Sequence, residues 1–132
     1  MLRIAEIKHS QSVRGEYIVL QNTGLVAINL RGWAVCTESL MEGTISQIAA
    51  SLYVFQTDAV VKPYTKVVLF TGSGEDGWRE TTDGRQAYCA YWNRELPVWH
   101  GARSVNVLHV AGSRAVVDTT GPVLDSLSAA SA

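Results

Sequence analysis

The sequence is poor in cysteine, proline and charge. Two cysteines and three prolines stand among 132 residues, and charged residues make up only 17%. Two cysteines are too few for a scaffold built from disulfides, and neither belongs to a Cys-x-x-Cys pair. No uninterrupted apolar run reaches the ~18 residues of a membrane-spanning helix, so no membrane insertion is predicted. These absences leave the class of globular domains that depend on one hydrophobic core.

Positive charge is not concentrated anywhere along the chain. Eleven Lys and Arg face twelve Asp and Glu, for a formal net charge of −1. Six basic and five acidic residues lie up to Lys66, and five and seven lie beyond it. Nonspecific binding of phosphate backbones needs a concentrated positive field, so nucleic acid is not favoured as a partner.

The length and the two termini predict one domain with a short tail. A chain of 132 residues, 47% of them hydrophobic, fits a single core. Residues 1–122 are predicted to fold, and the small residues of 123–132 are predicted to form a flexible tail. The N-terminus lacks the apolar segment of a signal peptide, so the chain is either cytoplasmic or a domain of a longer exported protein.

Alternation of apolar and polar residues runs through the chain, whereas helical spacing hardly occurs. Short strands at regular turn spacing are typical of a β-sandwich or barrel. Trp33 is the predicted buried tryptophan of that core. The stretch Glu38–Ala50 is taken as loop or short strand, and Gly72–Gly84 as a long polar loop. The predicted strands are 2–7, 16–21, 28–36, 51–57, 66–71, 85–92, 104–110 and 114–118.

Five blocks of residues, in order, resemble the lamin tail domain family. The first three are Ile4-x-Glu6-Ile7, Glu16-Tyr17-Ile18-x-Leu20-x-Asn22-x-Gly24 and Leu30-x-Gly32-Trp33-x-Val35. The fourth is Phe55 with Val60–Pro63 and Val67–Phe70, and the last is Trp99 with Ser104–His109, Gly112 and Ala115–Asp118. The resemblance implies an all-β, immunoglobulin-like β-sandwich of eight or nine antiparallel strands.

The resemblance also implies a use in interaction rather than in catalysis. In nuclear lamins this domain binds proteins and DNA, and in bacterial proteins it often accompanies exported nucleases, hydrolases or surface proteins. No catalytic residue belongs to the family pattern. The alternative function is a nucleic-acid or polysaccharide binding module, which needs arginines gathered on one face: Arg3, Arg14, Arg31, Arg85, Arg94, Arg103 and Arg114.

Two residues depart from the family pattern. Tyr64 follows Pro63 where the family usually has glycine, which predicts a turn that differs locally. Val19 occupies a commonly polar position, which predicts an apolar side chain facing outward on the second strand.

No residue cluster predicts catalysis, a metal or a cofactor. His9, His100 and His109 lack short metal-ligand spacing, and the serines lack a nucleophile-elbow context. Four acidic residues crowd the polar loop, but their spacing does not match an EF-hand, so a solvated loop is favoured over a calcium site. They are Glu75, Asp76, Glu80 and Asp83.

Cys36 and Cys89 are expected to be small buried residues, although each lies in a predicted strand and a bridge between them stays open.

The predicted partner-binding surface lies in the polar loop. Trp78 stands there beside Arg79 without an apolar neighbour, and an exposed tryptophan next to arginine is typical of interface hot spots. The alternative is that the loop folds back and Trp78 covers the end of the sandwich. The full surface is Trp78, Arg79, Glu80 and Arg85, with the strand around Val19 second. The predicted partner is a protein or a second copy in a homodimer.

Overall fold

The computed structural model describes residues 1–37, 52–99, 104–111 and 114–119, and strands dominate them. Within these ranges, one 3-10 turn covers Val13–Gly15. The predicted loop Glu38–Ala50 and the predicted tail 123–132 lie outside the described residues. The strands are β1 (Leu2–Lys8), β2 (Tyr17–Asn22), β3 (Ile28–Asn29), β4 (Trp33–Thr37), β5 (Leu52–Val54), β6 (Val60–Val61), β7 (Lys66–Phe70), β8 (Gly77–Glu80), β9 (Gln86–Tyr91), β10 (Val105–Ala111) and β11 (Arg114–Thr119).

The chain divides into two compact units, each with its own sheet. The first unit comprises Met1–Ile28 and Val61–His100 and holds a five-stranded sheet in the order β1-β2-β7-β9-β8. The second comprises Asn29–Val60 and Gly101–Ala132 and holds a four-stranded sheet in the order β11-β10-β4-β5. The short strands β3 and β6 pair with each other. In each of these two strands the chain crosses from one unit to the other, after Ile28 in β3 and after Val60 in β6.

The alternation found in the sequence produces cross-strand rows in the first unit. Because directly paired residues lie on the same face of a sheet, every second residue of β2, β7 and β9 builds one apolar layer. All members of its two central rows are at most 5% exposed. The rows are Leu20, Val67 and Tyr88, and then Ile18, Leu69 and Ala90.

The opposite face of this sheet is also apolar at its centre, which makes the prediction for Val19 wrong. Val19 is paired with Val68, which is paired with Cys89, and Val19 is only 8% exposed. β2 lies between β1 and β7, so its outer face has neighbours on both sides. Alternation assigned Val19 to the correct face, but it does not tell how well neighbouring strands cover that face.

The described residues contain more strands than the eight or nine predicted, and one pair is parallel. β7 and β9 run parallel from the pair Lys66–Ala87 to the pair Phe70–Tyr91. The chain must therefore return along the sheet between them, and β8 lies within that return, antiparallel to β9. The predicted loop Gly72–Gly84 accordingly contains an edge strand.

The second unit is centred on β4, as the sequence predicts for the strand of Trp33. All five residues of β4 are buried, and the strand lies between β10 and β5. Trp33 is 6% exposed and its ring stacks on His109, its cross-strand partner, with centroids 4.5 Å apart. The predicted burial of Trp33 is confirmed.

An exposed ion pair joins two loops of the second unit. Arg31 donates through Nε and Nη2 to both carboxylate oxygens of Asp58, at 2.9 and 3.1 Å. Asn29 donates to the same carboxylate at 3.0 Å. The hydrogen bonds from Arg31 first, and then from Asn29, lower the pKa of Asp58 to about 2. The guanidinium of Arg31 is therefore already occupied within its own unit.

The turn before β7 places a tyrosine in a backbone conformation that glycine favours. Thr65 N–H donates to the Lys62 carbonyl, as predicted for a turn with Pro63 at its first corner. Tyr64, at the third position, has a φ of 66°. A positive φ at this position is the pattern of a type II turn. The sequence predicts a locally different turn, because Tyr64 stands where the family usually has glycine. In the structure, Tyr64 itself takes the left-handed conformation that glycine favours.

We expect Tyr64→Gly to stabilise the protein. The left-handed region costs a residue with a Cβ roughly 1–2 kcal/mol, whereas glycine loses about 0.5–1 kcal/mol in chain entropy. The Tyr64 side chain is 58% exposed, so little burial is lost with it. The net gain should be about 1 kcal/mol, measured by urea denaturation. Tyr64→Ala removes the ring but keeps the Cβ and should give no gain; equal stabilisation by both variants would contradict a backbone origin.

Candidate functional site

Four of the five predicted partner-binding residues lie on one hairpin at the edge of the first unit's sheet. Trp78, Arg79 and Glu80 belong to β8, the last strand of that sheet, and Arg85 lies in the turn before β9. The turn is closed by Thr81 N–H, which donates to the Arg85 carbonyl at 2.6 Å, and Gly84 has a φ of 80°. Val19 does not join them because it is buried on β2.

Trp78 is half covered rather than free in a loop. Its partner across the hairpin is Tyr88, and the two rings meet edge to face with centroids 5.4 Å apart. Tyr88 belongs to the buried layer of the sheet, so Trp78 continues that layer to the edge strand. Its side chain remains 39% exposed. The fold therefore presents a tryptophan that packs against Tyr88 on one side and is accessible to solvent on the rest of its surface.

Among the described strands β8 ends the sheet, and its backbone leaves polar groups on the side away from β9. Antiparallel pairs alternate between residues that exchange hydrogen bonds and residues that do not. Thr81 and Arg85 form a hydrogen-bonded pair, so along β8 Arg79 is also hydrogen-bonded to β9, whereas Glu80 and Trp78 are not. The backbone N–H and C=O groups of Trp78 and Glu80 therefore point away from β9. The guanidinium of Arg79 covers part of this edge, donating to the carbonyls of Trp78 at 3.3 Å and Glu75 at 2.7 Å. A charged side chain over an edge opposes indiscriminate strand pairing.

Two of the four acidic residues of this region, Asp76 and Asp83, hold backbone in place. Asp76 Oδ1 accepts the Tyr91 N–H at 2.9 Å, and Asp83 accepts from the Thr81 hydroxyl and from the Arg85 N–H. The hydrogen bond from the Thr81 hydroxyl is the largest of the contacts that lower the pKa of Asp83. Across the described ranges, no three His, Cys, Asp or Glu side chains lie close enough together to hold a metal ion. No described helix is long and apolar enough to cross a membrane.

Sequence reasoning missed a buried carboxylate in the same unit. Glu16, just before β2, is 0% exposed. Its Oε1 accepts from the Thr71 hydroxyl at 2.7 Å and from the Val98 N–H at 2.8 Å, and its Oε2 accepts from the Trp99 N–H at 3.1 Å. Backbone bonds add to this junction, since Thr71 N–H donates to the Glu16 carbonyl at 3.2 Å. One carboxylate thus joins three segments that are far apart in sequence.

The segment that follows β9 is built on this junction. Arg94 N–H donates to the Thr71 carbonyl at 2.9 Å, and Asn93 N–H donates to the Gly72 carbonyl at 3.0 Å. The guanidinium carbon of Arg94 lies 5.3 Å from the centroid of Trp92, over the ring. Trp92 in turn lies 5.5 Å from the fully buried Trp99. Arg94 is therefore positioned from both its backbone and its side chain.

A cavity of about 660 Å³ opens beside this segment, at the end of the sheet. Its walls come from the 3-10 turn, from the ends of β7 and β9, and from the residues that follow each of these strands. The residues that matter for its chemistry are Val13, Arg14, Phe70, Tyr91, Arg94 and Glu95. Arg14 and Glu95 are exposed, and the other four are half-buried. Two cations and one carboxylate therefore border an aromatic wall.

The aromatic wall is a ladder across three strands. Tyr17, Phe70 and Tyr91 are cross-strand partners, with ring centroids 5.8 Å apart for the first pair and 4.8 Å for the second. The rings of Phe70 and Tyr91 are within 12° of parallel. A Cβ on Gly74 would overlap the Tyr91 ring, so glycine is required for this close approach. The one sequence signal that could have predicted this ladder is the position of the three aromatic residues in the alternating patterns of their strands.

Both cysteines are buried free thiols, so the bridge between them that the sequence left open is not formed in this structure. Burial raises the pKa of Cys36 to about 11. Burial, against a smaller opposing effect of Arg79, also raises the pKa of Cys89. A raised pKa favours the protonated thiol, which is a weaker nucleophile than the thiolate.

The model of one protein family matches nearly the whole chain. That family is described as Lamin Tail Domain, and the match covers residues 1–130. No curated protein matches the chain. The family match, together with strands throughout most of the described residues, confirms the predicted fold class, an all-β immunoglobulin-like β-sandwich.

We expect Glu16→Gln to destabilise the protein by about 2–3 kcal/mol. The amide has one acceptor oxygen and places an NH2 donor near backbone N–H groups that need acceptors, and buried unsatisfied donors cost about 1–3 kcal/mol each. Thr71→Val is the matched control, because it removes only the hydroxyl and should cost about 1 kcal/mol. Equal losses in urea denaturation would show that the backbone contacts of the carboxylate contribute nothing.

Both thiols should be inert in the native protein. Because burial raises the pKa of Cys36 from 9.0 to about 11, its contribution to stability is present below pH 9 and is lost as pH rises from 9 through 11. Ellman's reagent at pH 8 should label neither cysteine before unfolding and both in denaturant. Cys36→Ser and Cys89→Ser variants assign any signal, and rapid labelling without unfolding would contradict the burial.

Proposed function

This chain belongs to the lamin tail domain family, and from that premise we propose that it is a non-catalytic module that binds a protein partner at the β8 edge. The family consists of non-enzymatic immunoglobulin-like domains. We further propose that the module is an accessory domain of a larger protein. The binding surface is the hairpin edge of Trp78, Arg79, Glu80 and Arg85, without Val19.

The observation that carries this proposal is the half-covered Trp78 on an edge strand. β8 pairs with β9 on one side, and its other side ends the sheet. An extended peptide can add to such an edge, with main-chain bonds supplying affinity and side-chain contacts supplying specificity. Tryptophan anchors at interfaces typically contribute 2 kcal/mol or more of the binding energy. Trp78 is held by Tyr88, so little side-chain freedom is lost on binding.

The edge favours a specific partner over unlimited self-pairing. Arg79 already covers the carbonyls of Glu75 and Trp78, and a partner strand must displace it. The alternative, a nucleic-acid or polysaccharide module, is supported less well. Arg31 is held by Asp58 and Arg79 by backbone carbonyls, so these two arginines are engaged within the protein.

The test is a selection of displayed random peptides on the protein, followed by binding measurements on the selected sequences. Trp78→Ala should weaken binding more than tenfold, because it removes the anchor but leaves the β8 backbone. Tyr64→Ala, which removes a more exposed aromatic from a turn of the same unit (58% against 39% for Trp78), should change affinity less than twofold. Amide signals of Trp78 and Glu80 should also shift in NMR spectra on binding.

Two outcomes would overturn the proposal. Selected peptides that bind Trp78→Ala as tightly as the original protein would place the site elsewhere. Dimerisation through β8 in sedimentation experiments, abolished by Trp78→Ala, would make a second copy the occupant and replace the hetero-partner.

A further inference from the structure

We infer that the cavity bordered by Arg14 and Arg94 is a second binding site, which takes carboxylate side chains from an acidic segment of a protein partner. It lies apart from the β8 edge, on the residues that follow β7 and β9 and on the 3-10 turn. Its volume of about 660 Å³ falls in the range of ~300–1,000 Å³ that is typical of ligand pockets. It therefore holds a short segment rather than a long polymer.

Two arginines from different parts of the chain line this cavity. Arg14 is in the 3-10 turn and Arg94 follows β9. A guanidinium presents a planar set of donors that matches a carboxylate in bidentate geometry. The guanidinium carbon of Arg94 lies 5.3 Å from the centroid of the Trp92 ring, a cation–π contact that helps to hold this cation in place.

The aromatic wall adds apolar surface beside the arginines. Phe70 stacks on Tyr91 with ring centroids 4.8 Å apart, and the backbone of Gly74 lies close against the Tyr91 ring. Apolar and aromatic walls with a few polar groups are typical of ligand sites. The methylene groups of an acidic side chain can pack on this wall while its carboxylate meets the arginines.

Glu95 limits the strength of this site. It is the one carboxylate among the six chemically important cavity residues, so the charges there are two positive and one negative, a net of +1. It repels a ligand carboxylate and competes for the arginines. Phosphate polymers need a longer track of positive charge than this, and the chain as a whole carries a net charge of −1. The observations therefore favour discrete carboxylates of a protein over nucleic acid.

The preorganisation of Arg94 supports a binding role. Its backbone is bonded to Thr71, whose hydroxyl donates to the buried Glu16. A side chain fixed before binding loses less entropy when the ligand arrives. An arginine needed only for solubility would not require two independent restraints.

The probe is a hexaglutamate peptide blocked at both ends, titrated into the protein by calorimetry at low ionic strength. Arg14→Gln and Arg94→Gln should each weaken binding about fivefold, because each removes one charge-assisted contact. Lys62→Gln makes the same charge change at another exposed position of the unit and should alter affinity less than twofold. Glu95→Gln should tighten binding two- to threefold by raising the net charge of the lining, roughly as expected for one screened charge.

Each outcome supports or overturns the inference. Equal effects of Lys62→Gln and Arg94→Gln would reduce the binding to net charge, and no change with Glu95→Gln would place the ligand away from the cavity; either result overturns a built site. Tighter binding of inorganic phosphate or oligothymidylate through the same arginines would overturn the assignment to an acidic protein. If Arg94→Gln lowers the denaturation midpoint, Arg14→Gln on the exposed 3-10 turn supplies the same measurement. Trp78→Ala should leave hexaglutamate binding unchanged, which separates this site from the β8 edge.

Discussion

The buried carboxylate of Glu16 is the constraint on which the first unit depends. A charge removed from water destabilises the folded state unless hydrogen bonds replace its hydration. Glu16 satisfies this requirement only if the Thr71 hydroxyl and the N–H groups of Val98 and Trp99 all reach it at once. The end of β7 and the segment after β9 must therefore meet at the start of β2. Hydrophobic burial alone, which is non-directional, does not specify such a meeting point.

The features of this end of the sheet follow from that junction. With Thr71 fixed, its carbonyl accepts the Arg94 N–H, and with Trp99 fixed, Trp92 has a surface to lie against. Arg94 then lies over Trp92 at the mouth of the cavity. A structural carboxylate, which itself has no contact with solvent, thus determines where a solvent-facing cation stands. Scaffold and surface are connected here by hydrogen bonds rather than by proximity in sequence.

Sequence patterns predicted what depends on local periodicity. Alternation gave the strand character of most described residues, and Trp33 was identified as core because it continues an apolar face. Patterns failed where burial depends on distant neighbours. Val19 and Glu16 are buried because of strands and segments that pack beside them, and a single sequence contains no register. Trp78 was assigned to a loop because a four-residue edge strand flanked by polar residues has too few positions to show alternation.

The two proposed surfaces differ in what sequence change would do to them. The β8 edge uses main-chain groups, whose direction is set by the hairpin with Gly84 at positive φ, so most side chains there can change while the edge persists. The cavity uses two specific guanidinium groups, so either can be lost in one step. Between them runs the segment that holds Tyr91 through Asp76 and leaves room for its ring at Gly74. That segment borders both surfaces. The hydrogen bond from the Tyr91 N–H to Asp76 and the close approach of Gly74 to the Tyr91 ring therefore constrain each surface whether or not a partner is bound.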